Sequence, residues 1–243
     1  MNVLDSFKDI VKHTYGLGFF DTVKVMGTDK ETKLEAIDAD KTVVMFADLY
    51  QPIDGIDSTI GMTRLAILKS YTEIYKDFIP VIVKDAKTST TPVEIEFKDN
   101  GDSVSTYRFM SELVVNEQVK IPPFKGATWN FSFKPEKKNI AQLNTHAGVL
   151  GAFEKRFTIS VNNDVLSFSI GAGPTDRTTL AFAKGIKGTI KGGWSYPLAE
   201  FLAILKLADT SDAVIHVSDM GVMKIDIDSG MGKYSYIVPA GKA

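Results

Sequence analysis

The 243-residue chain contains no cysteine, which excludes disulfides, thiolate metal sites, iron–sulfur clusters and a cysteine nucleophile. It also lacks a long apolar run, because no stretch approaches the roughly 20 residues that a membrane-spanning helix needs. Asp5, Lys8 and Asp9 interrupt the first segment, so we predict no signal peptide and a cytoplasmic location. The net charge is only −2, whereas proteins that hold nucleic acid by bulk electrostatics are usually strongly basic.

This small net charge hides an uneven distribution. Residues 1–118 carry 13 basic and 20 acidic side chains, a net charge of −7, and residues 119–243 carry 15 and 10, a net charge of +5. Such an asymmetry bears on association rather than on fold. The alternative explanation is that the charges of two solvated surfaces differ by chance. The segment Ile121–Gly126 contains two prolines and a glycine, which predicts a connector over 119–130 between domains 1–118 and 131–243.

Apolar residues recur at helical spacing in four segments, Val3–Tyr15, Gly61–Tyr75, Lys137–Phe153 and Pro197–Ala208. The segments between them are rich in β-branched and aromatic residues, which predicts strands. The predicted strands are Val43–Phe46, Val93–Phe97, Phe157–Val161, Val165–Ile170, Ala213–Val217, Val222–Ile227 and Lys233–Val238. Asn162-Asn163-Asp164 predicts a hairpin turn between the third and fourth of these.

The same order of elements, helix, strands, helix and three strands, occurs twice along the chain. The first pair of predicted helices is centred near residues 9 and 68, and the second pair near 144 and 203. A repeat this long indicates a duplicated domain rather than a solenoid. We therefore predict an α+β fold of two similar domains, each with two helices packed on antiparallel sheet.

The sequence carries none of the common catalytic or nucleotide-binding motifs. Gly230–Lys233 is not a phosphate-binding loop, because Ile227 and Tyr234 occupy the positions of the required glycine and hydroxyl residue. The chain has three histidines, His13, His146 and His216, and their spacing is not that of metal ligands. We predict no catalytic residue, no metal and no cofactor, and hence a protein that is not an enzyme.

The last 45 residues resemble the carboxy-terminal part of a DNA sliding clamp, in the family of proliferating cell nuclear antigen. The matching segments are Tyr196–Lys206, Val214–Val217, Val222–Asp226 and Lys233–Ala240. The duplicated architecture is similar along the whole chain, although segments 16–60 and 84–120 diverge from the family. The early first helix and the connector residues Ile121-Pro122-Pro123-Phe124 resemble the clamps of T-even-type bacteriophages.

The resemblance implies a closed ring of three identical subunits that encircles double-stranded DNA without sequence preference. It implies as partners the replicative DNA polymerase, which the clamp tethers for processive synthesis, and an ATP-driven clamp loader. A bacteriophage clamp would act in the host cytoplasm. A head-to-tail contact closes such a ring, and the −7 half of one subunit would then meet the +5 half of its neighbour, an electrostatic complementarity that we treat as a hypothesis.

In such a ring the polar faces of the helices contact DNA. The basic residues predicted to face DNA are Lys8, Lys12, Arg64, Lys69, Lys76, Lys137, Lys138, Lys155, Arg156 and Lys206. The same segments carry five acidic residues, so the helices are enriched in base compared with the whole chain. Three further lysines in a glycine-rich segment either reach the central channel of the ring or only keep a loop soluble: Lys184, Lys187 and Lys191. For each basic residue, the alternative is a solvated side chain with no DNA contact.

The resemblance also implies a pocket for a partner peptide between the connector and the terminal strand. Its predicted residues are Ile121, Pro122, Phe124, Tyr236, Ile237, Val238 and Pro239. The alternative is that Ile121 and Phe124 only attach the connector to the core. Two other function classes compete with the clamp: a structural or virion protein built from duplicated β-rich domains, and an enzyme whose site the sequence does not reveal.

Overall fold

The structure is a computed structural model of the chain. It describes residues 2–88, 90–101, 103–124, 126–171, 176–209 and 211–242. Lys125, within the predicted connector, lies outside the described residues. The chain divides into two compact units. Unit one comprises Met1–Pro122 and Ser229–Tyr234, and unit two comprises Pro123–Asp228 and Ser235–Ala243.

Unit one contains two helices that pack on each other, a third short helix and two antiparallel sheets. Its elements are α1 (Val3–His13), β1 (Thr22–Gly27), β2 (Thr32–Ile37), β3 (Val44–Leu49), β4 (Thr59–Thr63), α2 (Leu65–Ile74), β5 (Val81–Lys84), β6 (Pro92–Lys98), β7 (Val104–Arg108) and α3 (Glu112–Gln118). The strand order is β4-β1-β2-β3 in one sheet and β5-β6-β7 in the other. The returning segment Ser229–Tyr234 lies beside β3, where the Tyr50 amide donates to the Met231 carbonyl at 2.9 Å.

Unit two repeats this arrangement. Its elements are β8 (Phe131–Phe133), α4 (Lys137–Leu150), β9 (Arg156–Asn162), β10 (Val165–Ile170), β11 (Thr178–Lys184), β12 (Trp194–Pro197), α5 (Leu198–Leu205), β13 (Asp212–Ser218), β14 (Val222–Asp228), β15 (Gly232–Pro239) and β16 (Gly241–Lys242). The strand orders are β15-β14-β13-β8 and β11-β10-β9-β12-β16, with the first three residues of β15 belonging to unit one. Helices α4 and α5 contact each other.

Local sequence explains why α1 forms where it does. The Asn2 side chain accepts a hydrogen bond from the Asp5 amide at 2.8 Å, which caps the amino end of the helix. The apolar residues Leu4, Phe7 and Ile10 recur at helical spacing and are buried. Burial of this face against the rest of unit one, rather than helix propensity alone, stabilises an 11-residue helix.

The hairpin between β9 and β10 confirms the turn predicted from Asn162-Asn163-Asp164. Val165 pairs with Asn162, so Asn163 and Asp164 form a two-residue loop. Both have positive φ, 48° and 59°, as a type I′ turn requires, and Asn and Asp tolerate this conformation better than most residues.

The repeated order of helix, strands, helix and three strands is confirmed, and the predicted fold class with it. Some details differ from the prediction, which did not name strands β1, β2 or β11 individually. The helix expected over Gly61–Tyr75 begins at Leu65, because Thr59–Thr63 pairs with β1 as strand β4 and Arg64 adopts a left-handed conformation with φ 52°. Helix α3 was not predicted, because it has seven residues and buries only Val115. Across the described residues, no helix has the length and apolar character needed to cross a membrane.

Candidate DNA-facing and partner-binding sites

The basic residues predicted on the helices of unit one lie on or beside α1 and α2. Lys12, Lys69 and Lys76 are exposed, and Lys8 is half-buried. Arg64 is exposed immediately before the first turn of α2, where its left-handed backbone turns the chain from strand into helix. Because α1 and α2 pack together, these cations share one helical layer of the unit. An ion pair of 3.7 Å with Glu73 offsets the charge of Lys69.

The corresponding residues of unit two lie at the ends of its helices. Lys137 and Lys138 form the first turn of α4, with Lys138 2.9 Å from Glu136. Lys155 follows α4 and donates to the Gly151 carbonyl at 2.9 Å, and Lys206 is exposed at the end of α5. The exposed residues along the middle of α4 are neutral: Ala141, Gln142, Thr145, Gly148 and Val149. The helices therefore offer scattered cations around a weakly charged surface.

Arg156 differs from the other nine basic residues predicted to face DNA, because its side chain forms hydrogen bonds within the sheet. It is the first residue of β9 and is half-buried. Its Nε donates to Ser195 Oγ at 2.8 Å, and its Nη2 donates to the Ser195 carbonyl on β12. These bonds stabilise the pairing of β9 with β12, so Arg156 has a structural partner whether or not DNA is present. Lys184 ends strand β11, whereas Lys187 and Lys191 lie in the glycine-rich loop, and all three are exposed.

The residues predicted for the partner pocket differ widely in exposure. Phe124 is 41% exposed, and Pro122 and Pro239 are also exposed. Ile121 is half-buried. The three buried residues are Tyr236, Ile237 and Val238, which belong to strand β15. Within the predicted set, the exposed surface that a partner can reach directly is therefore supplied mainly by Phe124 and the two prolines.

A pair of hydrogen bonds between Asn130 and Asp219 at the downstream end of the connector was not predicted from the sequence. The Asp219 amide donates to Asn130 Oδ1 at 2.8 Å, and Asn130 Nδ2 donates back to Asp219 Oδ2 at 3.0 Å. The other carboxylate oxygen of Asp219 accepts from the Lys191 amide at 2.7 Å. Asp219 thus fixes both the downstream end of the connector and the lysine-bearing loop. The 89 residues between Asn130 and Asp219 explain why no local pattern revealed this contact.

A buried polar cluster in unit one was also missed. Asp9 Oδ2 accepts from the Tyr234 hydroxyl at 2.8 Å and from Ser229 Oγ at 2.9 Å. The His13 ring stacks on Tyr234 with 4.0 Å between centroids, and its Nε2 lies 3.6 Å from Asp9 Oδ1. Burial raises the pKa of Asp9, although the hydrogen bonds from Tyr234 and Ser229 and the charge of Lys12 oppose this shift. Burial lowers the pKa of His13 to about 3, and the Lys12 charge adds to that shift.

No protein-family model and no curated protein sequence matches the chain. Solved structures do match it over nearly its whole length. Proliferating cell nuclear antigen (PCNA) from Thermococcus kodakaraensis superposes with a TM-score of 0.71 at 13% identity, covering 98% of this chain and 97% of that one.

Two further PCNA structures have nearly the same TM-score. A. fulgidus PCNA, bound to the C-terminal region of FEN-1, has a TM-score of 0.70 at 11% identity and covers 100% of this chain and 97% of that one. PCNA from Entamoeba histolytica has a TM-score of 0.70 at 11% identity, with coverage of 98% and 96%. At such low sequence identity the likeness concerns the fold alone. Because it extends over nearly the whole chain, the chain has the duplicated clamp fold of the PCNA structures.

Proposed function

We propose that this protein is a non-enzymatic sliding clamp, which encircles duplex DNA and tethers the replicative DNA polymerase for processive synthesis. The observation that carries the proposal is the likeness of the whole chain, both units included, to PCNA structures. The scattered cations on the helices suit the proposal, because phosphate contacts of this kind carry no sequence information. A closed ring is retained on DNA by topology and does not need strong electrostatic attraction. The likeness to T-even-type phage clamps stays a prediction from the connector sequence.

Unit one supports ring assembly because it leaves a strand edge and apolar side chains exposed. Strand β7 is the last strand of its sheet. Helix α3, which follows it, exposes 74% of Leu113 and 40% of Val114. Exposed edges and apolar patches are liabilities in a monomer and are commonly covered by a partner.

Unit two offers a surface of the same kind. Strand β11 is an edge strand of its five-stranded sheet, and α4 packs against it. Near its carboxy-terminal end, α4 exposes 68% of Val149, and the turn after it exposes 85% of Phe153. Each unit therefore has an edge strand together with exposed apolar residues on a neighbouring helix or turn.

We propose that these two surfaces meet head-to-tail between subunits of a homotrimer. Two different patches on one chain make a heterologous contact, which closes into a ring when the rotation per subunit allows it. Burial of Leu113, Val114, Val149 and Phe153 would supply the apolar contribution. The −7 and +5 halves would face each other across the contact and favour this pairing over others.

Measurement of the mass in solution by sedimentation equilibrium tests this assembly. We expect wild-type protein near three times 26.7 kDa, and the variants Phe153→Asp and Leu113→Asp near 26.7 kDa, because a charge placed in an apolar contact is desolvated without a partner. Met220→Asp is the matched control, since Met220 is 62% exposed on a turn outside both surfaces, and this variant should remain trimeric. A wild-type monomer at high concentration would contradict the ring.

A further inference from the structure

A row of polar side chains crosses the outward face of three neighbouring strands in unit two. Ser132 on β8 lies directly opposite His216 on β13, and His216 lies opposite Lys224 on β14. Asp226 is two residues beyond Lys224, so it projects from the same face of β14. The intervening residues Ile215 and Val217 are buried on the other face. The sheet register alone thus aligns a serine, a histidine and an aspartate.

The distances in this row match those of a serine hydroxyl activated by a histidine. Ser132 Oγ lies 2.6 Å from His216 Nδ1, and His216 Nε2 lies 3.0 Å from Asp226 Oδ2. Burial alone would raise the pKa of Asp226, but hydrogen bonds from His216, Lys224 and Ser235 lower the pKa to about 2. Asp226 is therefore ionised at neutral pH and accepts hydrogen bonds only.

The ionised carboxylate determines the tautomer of His216. Because Asp226 can only accept, Nε2 of a neutral His216 carries the proton, and Nδ1 presents its lone pair to the Ser132 hydroxyl. Other contacts hold Asp226 in place: Lys224 Nζ lies 2.6 Å from Oδ2, and Ser235 Oγ donates to Oδ1 at 2.7 Å. The Trp129 ring lies beside His216, with 5.6 Å between centroids. The base is thus oriented before any reagent arrives, while Ser132 is exposed.

We propose that Ser132 is an activated serine and a site of covalent acylation by carboxylic esters that have good leaving groups. Ser132 Oγ attacks the carbonyl carbon while His216 Nδ1 accepts the hydroxyl proton. As the new Oγ–C bond forms, the bond to the leaving alcohol breaks. The leaving oxygen takes the proton from His216, and an ester remains on Ser132. None of the predicted DNA-facing or partner-pocket residues takes part in this reaction, so the proposal does not depend on the clamp function.

The test treats the full chain with p-nitrophenyl acetate and measures acetylation of each serine by peptide mass spectrometry. Hydroxylamine removes esters but not lysine amides, which identifies serine products. Ser70 is the internal reference, because it is exposed and its hydroxyl donates to the Ala66 carbonyl at 3.0 Å. We expect Ser132 to react at least about tenfold faster than Ser70, a conservative fraction of what a positioned base contributes.

Two variants connect the reactivity to the proposed base. His216→Gln should lower the acetylation rate of Ser132 to that of Ser70. Asp226→Asn preserves the shape of the side chain but no longer fixes the tautomer, and it should lower the rate as well. Circular dichroism of both variants verifies the fold. Equal rates at Ser132 and Ser70 in the wild-type chain, or an unchanged Ser132 rate in folded His216→Gln, would overturn the proposal.

Discussion

Asp9 and His13 show how one helix is attached to a distant part of the chain. Asp9 on α1 accepts hydrogen bonds from Tyr234 and Ser229, and 225 residues separate Asp9 from Tyr234. His13 is fully buried against Tyr234. Periodicity places the Asp9 and His13 positions on a predicted helix but says nothing about partners so far away. The sequence therefore could not reveal this cluster, whereas the basic residues on the helices could be named from local pattern alone.

The low pKa of His13 predicts that the free energy of unfolding depends on pH. Its pKa is 6.5 when unfolded and about 3 in the folded protein, so its contribution to stability is present above pH 6.5 and is lost as the pH falls towards 3. Asp9, whose pKa is raised, has the opposite sign: it is stabilising at low pH, and that contribution is lost as the pH rises. The Lys12 charge adds to the effect of burial on the pKa of His13.

Urea unfolding of wild-type protein and His13→Phe at pH 7 and pH 5 measures the contribution of His13. Phe keeps the ring stacked on Tyr234 but cannot take up a proton. We expect the wild-type free energy of unfolding to fall by about 2 kcal/mol more than that of the variant between these two pH values. The same loss in both proteins would show that His13 does not carry this pH dependence.

Among the elements, segments with a strong local pattern were predicted one by one, whereas strands β1, β2 and β11 were predicted only as part of the strand-rich segments between the helices. The hairpin β9–β10 and the three last long strands carry β-branched and aromatic residues bounded by turn residues, so their sequence identifies them. Helix α3 and the three-residue β8 depend on tertiary contacts instead. Gly61 is an example: it forms a bridge with Met110 that places α3 against β4, and no helical or strand period signals this approach.

Gly61 supplies a prediction about this packing. A Cβ at Gly61 would lie 2.7 Å from Val115 Cβ and 2.9 Å from Met110 Cβ. Gly61→Ala should therefore destabilise unit one by about 1–3 kcal/mol through overpacking. Gly148→Ala is the matched control, because Gly148 lies in α4 with open space around its Cβ position, and it should stabilise by about 1 kcal/mol. Thermal unfolding distinguishes the two, and equal effects would contradict the close approach of α3.

For the molecule as a whole, the order of elements along the chain indicated a duplicated α+β domain, and the resemblance of the last 45 residues indicated the clamp family. Amphipathic helices and strands occur in the same order twice, and the PCNA structures share the resulting architecture over nearly the full length. The sequence could not indicate which side chains a partner reaches. Tyr236 and Val238 were predicted in the pocket but are fully buried, because burial depends on neighbours that are remote in sequence. The role of each pocket residue stays a prediction.

Partner binding is expected to depend on the exposed part of that pocket. Phe124→Ala or Pro239→Ala should weaken binding of a tail peptide from the cognate DNA polymerase about tenfold or more, as removal of an apolar anchor usually does. Isothermal titration calorimetry measures the dissociation constant. Tyr15→Ala is the control, since Tyr15 is a partly exposed aromatic residue outside the predicted pocket and should not change the affinity. Unchanged affinity in both pocket variants would place the peptide elsewhere.

Threading of the protein onto linear duplex DNA measures whether it encircles DNA, as we propose. DNA is tethered to a bead at one end, and its free end is blocked with a bulky protein either before or after addition of the clamp. Beads are then washed in high salt, which removes proteins held by phosphate contacts alone. We expect retention only when the free end is blocked after the clamp has been added, and release when the DNA is then cut. Equal retention whichever step comes first would show that the protein does not encircle DNA.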